Sequence, residues 1–567
     1  MTTRKILVLV LLLIFSCKCI AEQSQKRWVY IQTNLLVDKN VEQVLDVIHK
    51  SAGLGYNGVV IADSKFMMWD IQGDKYRKNC TLVREECRKL KLEFIPCVFP
   101  NGYGNELLAH DPNLAEGLPV KNSTFIARDG KLIPVAEVPA IVNGGFEDYK
   151  GNSPSGYGFV DEPGKISFID TDVKYEGKAS IRLQDIDKYS PEFGHGRVCQ
   201  KLNVKQFSNY HLSVMLKTED FVTASEIRIT VLGKDGAGLC NININAQKTQ
   251  DWKRLDVTFN TLDSDEVNLY LGVWGGKSGR IWWDDLRIEP AGFVNIIRRD
   301  GTPLRITNAD GTLTYSEGKD FSRVVDPKLG NDPWSGSYTP WHDEPLVTLP
   351  EGSSIKEGQK VVASFYHAAT IYDGACTYCM AEPRVYDLYL WQAEEVKKNL
   401  QPDGYFMSHD EIRVQGWDES CVKTGKTPGA ILADNVKKCT DILRKLDPKK
   451  PIYVWSDMFD PNHNAAKTGR YYLVKGDGPW YGSWLGLDKN VIVVNWHGYQ
   501  PGRLDSLKHF ASRGNKQILA GYYDSDPTAI TDWIKDGKQA GGLSGVMYTT
   551  WQNNYNDLEA FIKAAGK

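Results

Sequence analysis

Tyr405-Phe406-Met407-Ser408-His409-Asp410-Glu411 is an apolar segment that runs straight into two adjacent carboxylates. Three large apolar side chains in a row suit a strand buried on both faces, as in a parallel sheet. Two carboxylates at the end of such a strand are costly to desolvate, so stability alone does not account for them. Neighbouring strand residues point to opposite faces, but at a strand's mouth the chain bends and both acids can reach one pocket. Mutual repulsion would hold a proton on one acid and leave the other charged, which is what general acid chemistry needs. A lone Asp-Glu pair is also what a helix N-terminus or a solvated surface carries. The reading therefore depends on how other strands end.

Outward from this stretch the pattern alternates. Upstream, Trp28-Val29-Tyr30-Ile31, Gly58-Val59-Val60-Ile61 and Glu93-Phe94-Ile95-Pro96-Cys97-Val98-Phe99 are β-prone, with helical spacing over 41–52 and 82–90. From about 140 to 290 the texture changes to short alternating strands with turn residues and little helix. Downstream, helices are predicted over 384–400, 430–446, 504–513, 528–539 and 558–565, and strands over 404–409, 452–455, 491–494, 518–522 and 545–548. Eight parallel strands separated by helices predict an α/β fold, a (β/α)8 TIM barrel interrupted after strand 3. Its parts are residues 22–139 and 376–567, with an all-β sandwich at 140–290 and a smaller β-rich segment at 291–375. The strand-like run 361–366, which would make a ninth, is placed in that segment.

At 567 residues the chain exceeds one ordinary core. A net charge of -3 offers no electrostatic footprint for nucleic acid or an anionic membrane. Residues 1–21 read as a signal peptide: Arg4 and Lys5, an apolar run over 6–15, and Cys19-Ile20-Ala21 before Glu22. Ile14-Phe15-Ser16-Cys17 also reads as a lipoprotein box, which would put a lipid anchor on Cys17. Either way the protein is expected to be exported, to the periplasm, the extracellular space or a lipid-anchored cell surface. No other stretch approaches the roughly 20 apolar residues of a membrane span. Of 11 Cys, two fall in the signal, and the odd remainder does not make a complete disulfide framework. Cys376-Thr377-Tyr378-Cys379 has CxxC spacing, with Cys421 downstream. A structural zinc there lacks a second CxxC or paired His, so a disulfide or free thiols is the expectation.

In a barrel of this kind reactive residues sit at C-terminal strand ends. Those ends read Asp63; Asn101-Gly102-Tyr103; His409-Asp410-Glu411; Trp455-Ser456-Asp457; Asn495-Trp496-His497; Tyr522-Tyr523-Asp524; and Thr550-Trp551-Gln552-Asn553. Aromatics at four of the last five predict a ring-walled pocket. Such walls fit the CH-rich faces of sugars, and the interspersed Asp, Asn and His fit hydroxyls.

On these residues the second half resembles the catalytic barrel of glycoside hydrolase family 20, the β-N-acetylhexosaminidases. The matching positions are Asp410-Glu411, Trp455, Trp496, Trp551 and Tyr522-Tyr523-Asp524. The resemblance implies that Glu411 is the general acid/base. Asp410 would orient a 2-acetamido group whose carbonyl oxygen attacks the anomeric carbon. Tyr523 would hydrogen-bond that oxygen and the three Trp would form walls, with Asp457, His497 and Asp524 as further substrate-binding candidates. The chain departs from the family where Ser408-His409 replaces Gly-Gly, and where Trp28 to Asn34 offers no Arg to grip a sugar hydroxyl. The inserted segment runs from Asn143-Gly144-Gly145-Phe146-Glu147 to Ile281-Trp282-Trp283-Asp284-Asp285-Leu286. It resembles carbohydrate-binding modules of the family 4, 9 and 22 type. That resemblance implies glycan binding and one structural Ca²⁺ held by Glu147 and Asp285; no cofactor is expected for catalysis.

The expected function is a secreted glycoside hydrolase acting on amino-sugar glycans by acetamido-assisted retaining hydrolysis. The alternatives are a glycoside hydrolase on non-acetamido polysaccharide using two carboxylates, or a non-catalytic carbohydrate-binding protein. A third class, a metal-dependent hydrolase using His409, Asp457 and His497, lacks two His at ligand spacing on one element.

Overall fold

The computed structural model describes residues 25–372 and 374–566; the signal-like segment and Cys17 lie outside them. Eight parallel strands close into a barrel in chain order: Lys26–Gln32, Gly58–Ala62, Glu93–Val98, Tyr405–Met407, Ile452–Trp455, Ile492–Asn495, Gln517–Tyr522 and Leu543–Thr549. Alternation along these strands divides their side chains between two cores. Trp28, Val60, Ile95, Phe406, Tyr453, Val494, Ile518 and Met547 fill the barrel interior. Val29, Val59, Phe94, Tyr405, Met407, Val454, Val493 and Leu519 face outward against the helices. With both faces buried, the strands read as unbroken apolar runs, which is why they were visible in the sequence.

Helices follow seven of the eight strands: Asp38–Leu54, Asp74–Lys89, Pro383–Leu400, Pro428–Leu446, Arg503–Ser512, Ile530–Ala540 and Leu558–Ala564. After the fifth strand the (β/α)8 expectation is not met. The connection is a long loop holding a 3-10 turn at Ser483–Gly486. Gly469, Gly476, Gly478 and Gly482 all have left-handed backbone there, a conformation that interrupts a helix.

The insertion after the third strand is a sandwich of two five-stranded antiparallel sheets. One runs, edge to edge, Gln250–Asn260, Asn209–Glu219, Arg280–Pro290, Ser180–Gln184, Ser167–Asp170. The other runs Gly238–Asn241, Ile227–Gly233, Glu266–Val273, Gly196–Asn203, Phe159–Val160. A further four-stranded sheet joins Arg305–Asn308, Lys360–Ala368, Gly117–Arg128 and Lys131–Pro134. This corrects the boundary drawn at residue 139. Residues 117–134 belong to the β-rich segment, paired with residues more than 200 positions later, such as Phe125 with Val361. Pairing over such a separation leaves no local signature.

Candidate active site

The top layer of the barrel interior is aromatic and becomes the floor of a cavity of about 570 Å³ at the C-terminal mouth. Tyr30 meets Trp455 edge-on at 5.3 Å between ring centres, and Trp455 lies 6.2 Å from Trp551. Trp496 stands nearly perpendicular to Trp551 at 6.1 Å. The three predicted Trp therefore line one cavity, together with Asp410, Glu411, Gln32, Asp63, Tyr103 and Gln392.

The fourth strand is only three residues long, so the chain leaves the sheet at Ser408. Ser408 N still donates to Val98 O at 2.9 Å, and Asn101 N donates to Ser408 O at 2.9 Å. Glu411 then takes a left-handed backbone, φ 47°, unusual for a residue with a Cβ. Its amide is held by the Asp457 carboxylate at 3.1 Å. This bend lets both acids reach one cavity. The Glu411 carboxylate accepts a hydrogen bond from the Tyr103 hydroxyl and is charge-paired with Arg413 at 2.5 Å. Arg413 is buried among the rings of Tyr103, Tyr372 and Tyr472, each within 5.5 Å of its guanidinium. Asp410 has no such partner. Burial, followed by the charges of Asp457 and Glu411, pushes its carboxyl up to about 8. Burial likewise pushes Asp457 up to about 6.

Four predicted substrate-binding residues stand behind this wall and not on it. Asp457 is fully buried and holds Glu411 and, at 2.9 Å, Asn464 Nδ2. The Tyr523 hydroxyl is bonded to the Ala520 carbonyl while its ring stacks on Trp551 at 5.6 Å. Asp524 accepts from the Thr550 hydroxyl and from the amides of Trp551 at 2.8 Å and Gln552 at 3.1 Å, so it shapes the loop that presents Trp551. His497 is buried beside His463 and Asp460. Adjacent loop residues alternate in direction, and proximity to a strand end does not say which of them faces the cavity. His409 is buried against Asn435 at 2.9 Å and its ring is pushed down to about 4, so it stays neutral at pH 7. His409, Asp457 and His497 do not converge as ligands, which removes the metal-hydrolase alternative on those residues. Arg413 and Gln392 were missed by sequence reasoning. Arg413 lies two positions past Glu411, the spacing that carried the only signal.

In the sandwich, Glu147 accepts from Lys178 N at 2.7 and 2.9 Å, in a cradle where a Cβ on Gly177 would meet Glu147 Oε1 at 2.0 Å. The acid facing it is Asp284, not the predicted Asp285. Asp284 is fully buried, accepts from Tyr175 N and Asp285 N, and is pushed up to about 6 by burial, with Glu147's charge adding to this. Asp285 sits in a bulge with left-handed backbone and turns outward to Arg287 at 2.6 Å. A hard cation would relieve the Glu147–Asp284 pair, and these are the residues that fit one. On the other sheet, Phe159, Tyr270 and Trp274 form a partly exposed strip in edge contact, with Arg197 over two of the rings.

Residues 138–280 match the family model of a carbohydrate binding domain. No curated protein sequence matches the chain. Among solved structures it is similar to a CBM4 domain, at 19% identity and TM-score 0.19, over 27% of this chain and 99% of that one. It is also similar to the chitobiase of Flavobacterium johnsoniae, at 8% identity and TM-score 0.36, over 95% of this chain and 48% of that one. A glycoside hydrolase family 20 β-N-acetylglucosaminidase is similar at 10% identity and TM-score 0.35, over 96% and 69%. Likenesses this distant add nothing to the topology given directly by strand pairing. The segment that matches the carbohydrate-binding model, residues 138–280, is thus the β-sandwich insertion of an eight-stranded parallel barrel.

Proposed function

We propose that the protein is an exported glycoside hydrolase acting on amino-sugar glycans, with Asp410 and Glu411 as its catalytic pair. The observation that carries this is the convergence of both acids on one cavity walled by Trp455, Trp496 and Trp551. In this reading Glu411 protonates the glycosidic oxygen as the aglycone leaves. The 2-acetamido oxygen closes on the anomeric carbon, and Asp410 receives the acetamido N–H as positive charge develops there. As the acetamido group settles beside Asp410, the proton that burial keeps there in the free protein passes to the neighbouring Glu411, which leaves Asp410 anionic and gives Glu411 the proton it donates. Water then opens the bicyclic intermediate and returns its proton to Glu411. Gln32, at the mouth of the first strand, would take the place of the absent Arg as a neutral partner for a sugar hydroxyl.

A second reading is favoured by the charge pairing. Arg413 and Tyr103 both address Glu411, whereas Asp410 carries the raised proton affinity. Asp410 would then be the acid and Glu411 the anionic nucleophile or base, with no need of an acetamido group. Nitrophenyl glycosides with and without the 2-acetamido group, assayed on wild type and Glu411→Gln, separate the two. The first reading expects cleavage of acetamido sugars only, strong inhibition by a thiazoline analogue, and no covalent sugar. A glycosyl ester on Glu411 by mass spectrometry, with thiazoline inert, would establish the second. Glu411→Gln within threefold of wild type on all substrates would sink both.

A further inference from the structure

Behind the active-site loop, Glu116, Cys379, Asp418 and Cys421 are all buried, and one ligand atom from each lies within 4.8 Å of all the others. Cys379 Sγ is 3.4 Å from Cys421 Sγ and 3.5 Å from Asp418 Oδ1, and Cys421 Sγ is 3.3 Å from Glu116 Oε2. A tetrahedral zinc with bonds of about 2.3 Å to sulfur and 2.0 Å to oxygen has ligand–ligand edges of roughly 3.3–3.8 Å. The two sulfur–oxygen contacts come close to the sulfur–oxygen edge of about 3.5 Å, and the two sulfurs would open from 3.4 Å to about 3.8 Å on binding the ion.

The rest of each carboxylate is already committed. Glu116 Oε1 accepts from Gly416 N at 2.8 Å and Trp417 N at 2.9 Å. Asp418 Oδ2 is paired with Arg299 at 2.6 Å, and its Oδ1 also receives Cys421 N at 3.0 Å. Outer partners of this kind fix ligand orientation in metal sites. They leave Oε2 and Oδ1 turned toward the two sulfurs. Gln415 is fully buried beside them: its Nε2 donates to Cys421 Sγ at 2.8 Å and to Glu116 Oε2 at 3.2 Å, and its Oε1 has no hydrogen-bond partner. Four groups able to carry negative charge are gathered in a dry pocket where one cation, Arg299, touches one of them, and such a cluster is costly without a further positive charge.

We propose that Glu116, Cys379, Asp418 and Cys421 form a structural site for one zinc ion, bound with loss of the two thiol protons. All four positions are taken by protein, which leaves no place for substrate and marks the site as structural. The ion would tie together three segments distant in sequence. Glu116 immediately precedes the strand Gly117–Arg128, Cys379 leads into the helix Pro383–Leu400, and Asp418 caps the short helix Glu419–Lys423, which holds Cys421 and closes the loop that begins at Glu411. In the structure these cysteines are free thiols, one of the two outcomes expected from the sequence, and the zinc site goes beyond that expectation. The missing ligands come from Glu116 and Asp418, which no CxxC spacing reveals.

The test is elemental analysis and cobalt spectroscopy of the full chain, purified in reductant without chelator. One zinc per chain is expected. Exchange for Co²⁺ should give thiolate-to-metal charge-transfer bands in the near ultraviolet and visible bands of tetrahedral intensity. Cys379→Ser and Cys421→Ser should each weaken metal binding by about 10-fold or more, while Cys376→Ser, three residues away, should keep it. If the first two variants fail to fold, the cobalt spectrum of the wild type still decides. Absence of thiolate bands, or a Cys379–Cys421 disulfide in non-reduced protein that takes up no metal after reduction, would overturn the site.

Discussion

Asp410 is buried beside the charges of Asp457 and Glu411, and the Arg413 guanidinium, which pairs with Glu411, offsets them only in part. Its folded-state pKa of about 8 lies far above the 3.8 of an unfolded chain. Between those values the folded protein binds the extra proton, so this residue makes stability fall as pH rises from about 4 to 8. Asp410→Asn removes that penalty. Its melting temperature should exceed that of wild type by about 2 °C or more at pH 8, with the gain shrinking to nothing near pH 4, as followed by calorimetry. A variant equal to or less stable than wild type at pH 8 would mean that Asp410 is solvated or paired. Glu411→Gln should behave differently: hydrolysis should fall by about 10² to 10⁴-fold with the circular dichroism spectrum unchanged. That both acids reach one cavity was legible because they end a buried strand, where carboxylates are costly, and because other strands end in aromatic and acidic residues. The pair's proton distribution was not legible, since that depends on Arg413 turning toward one acid only.

At the scale of single elements, direction decides. Residues 284 and 285 are neighbours in one strand, and the sequence offered no means of choosing between them. A bulge opposite Ser213 and Met215 turns Asp285 out to Arg287 and leaves Asp284 facing Glu147. The same limit applies at the barrel mouth. Trp455, Trp496 and Trp551 reach the cavity, whereas Tyr523 and Asp524 brace the loop that carries Trp551. Long apolar strands announce themselves through composition, but a one-residue change of face is set by backbone twist and bulges that composition does not encode. The sandwich gives this a direct test. Millimolar Ca²⁺ should raise its thermal transition and a chelator should lower it. Glu147→Gln and Asp284→Asn should each abolish that response, and Asp285→Asn should leave it intact. A response lost only with Asp285→Asn would restore the original assignment.

Across the whole molecule, the alternation of strand and helix made the eight barrel strands readable and marked the insertion as a separate β unit. It carried no sign of how closely that unit packs on the barrel. The structure shows a close union. Val414, Trp417 and Leu473, all on barrel loops, belong to the same apolar cluster as the sandwich core. Trp417 meets Phe207 edge-on at 6.4 Å and donates from Nε1 to Leu473 O at 2.8 Å. Arg470 pairs with Asp263 at 3.1 Å and with Asp235. Val414 and Trp417 lie within six residues of Glu411 on the same loop, so the sandwich packs on the loop that presents the proposed catalytic pair. Burying such side chains stabilises by about 1.5–3 kcal/mol each, and removing residues 140–290 would expose all three at once. The barrel strands have their own interior core and should persist. The loop should loosen, and kcat/KM should fall by at least about 10-fold, since small displacements of positioned groups are costly. The loss should appear even on a nitrophenyl monosaccharide too small to reach the aromatic strip of Phe159, Tyr270 and Trp274. Trp274→Ala in the intact chain is the control: it should weaken binding to polymeric glycan and leave the monosaccharide rate unchanged. Full activity of the deleted protein on the small substrate would show that the sandwich does not position the loop of Glu411, and that the barrel alone keeps that loop in place.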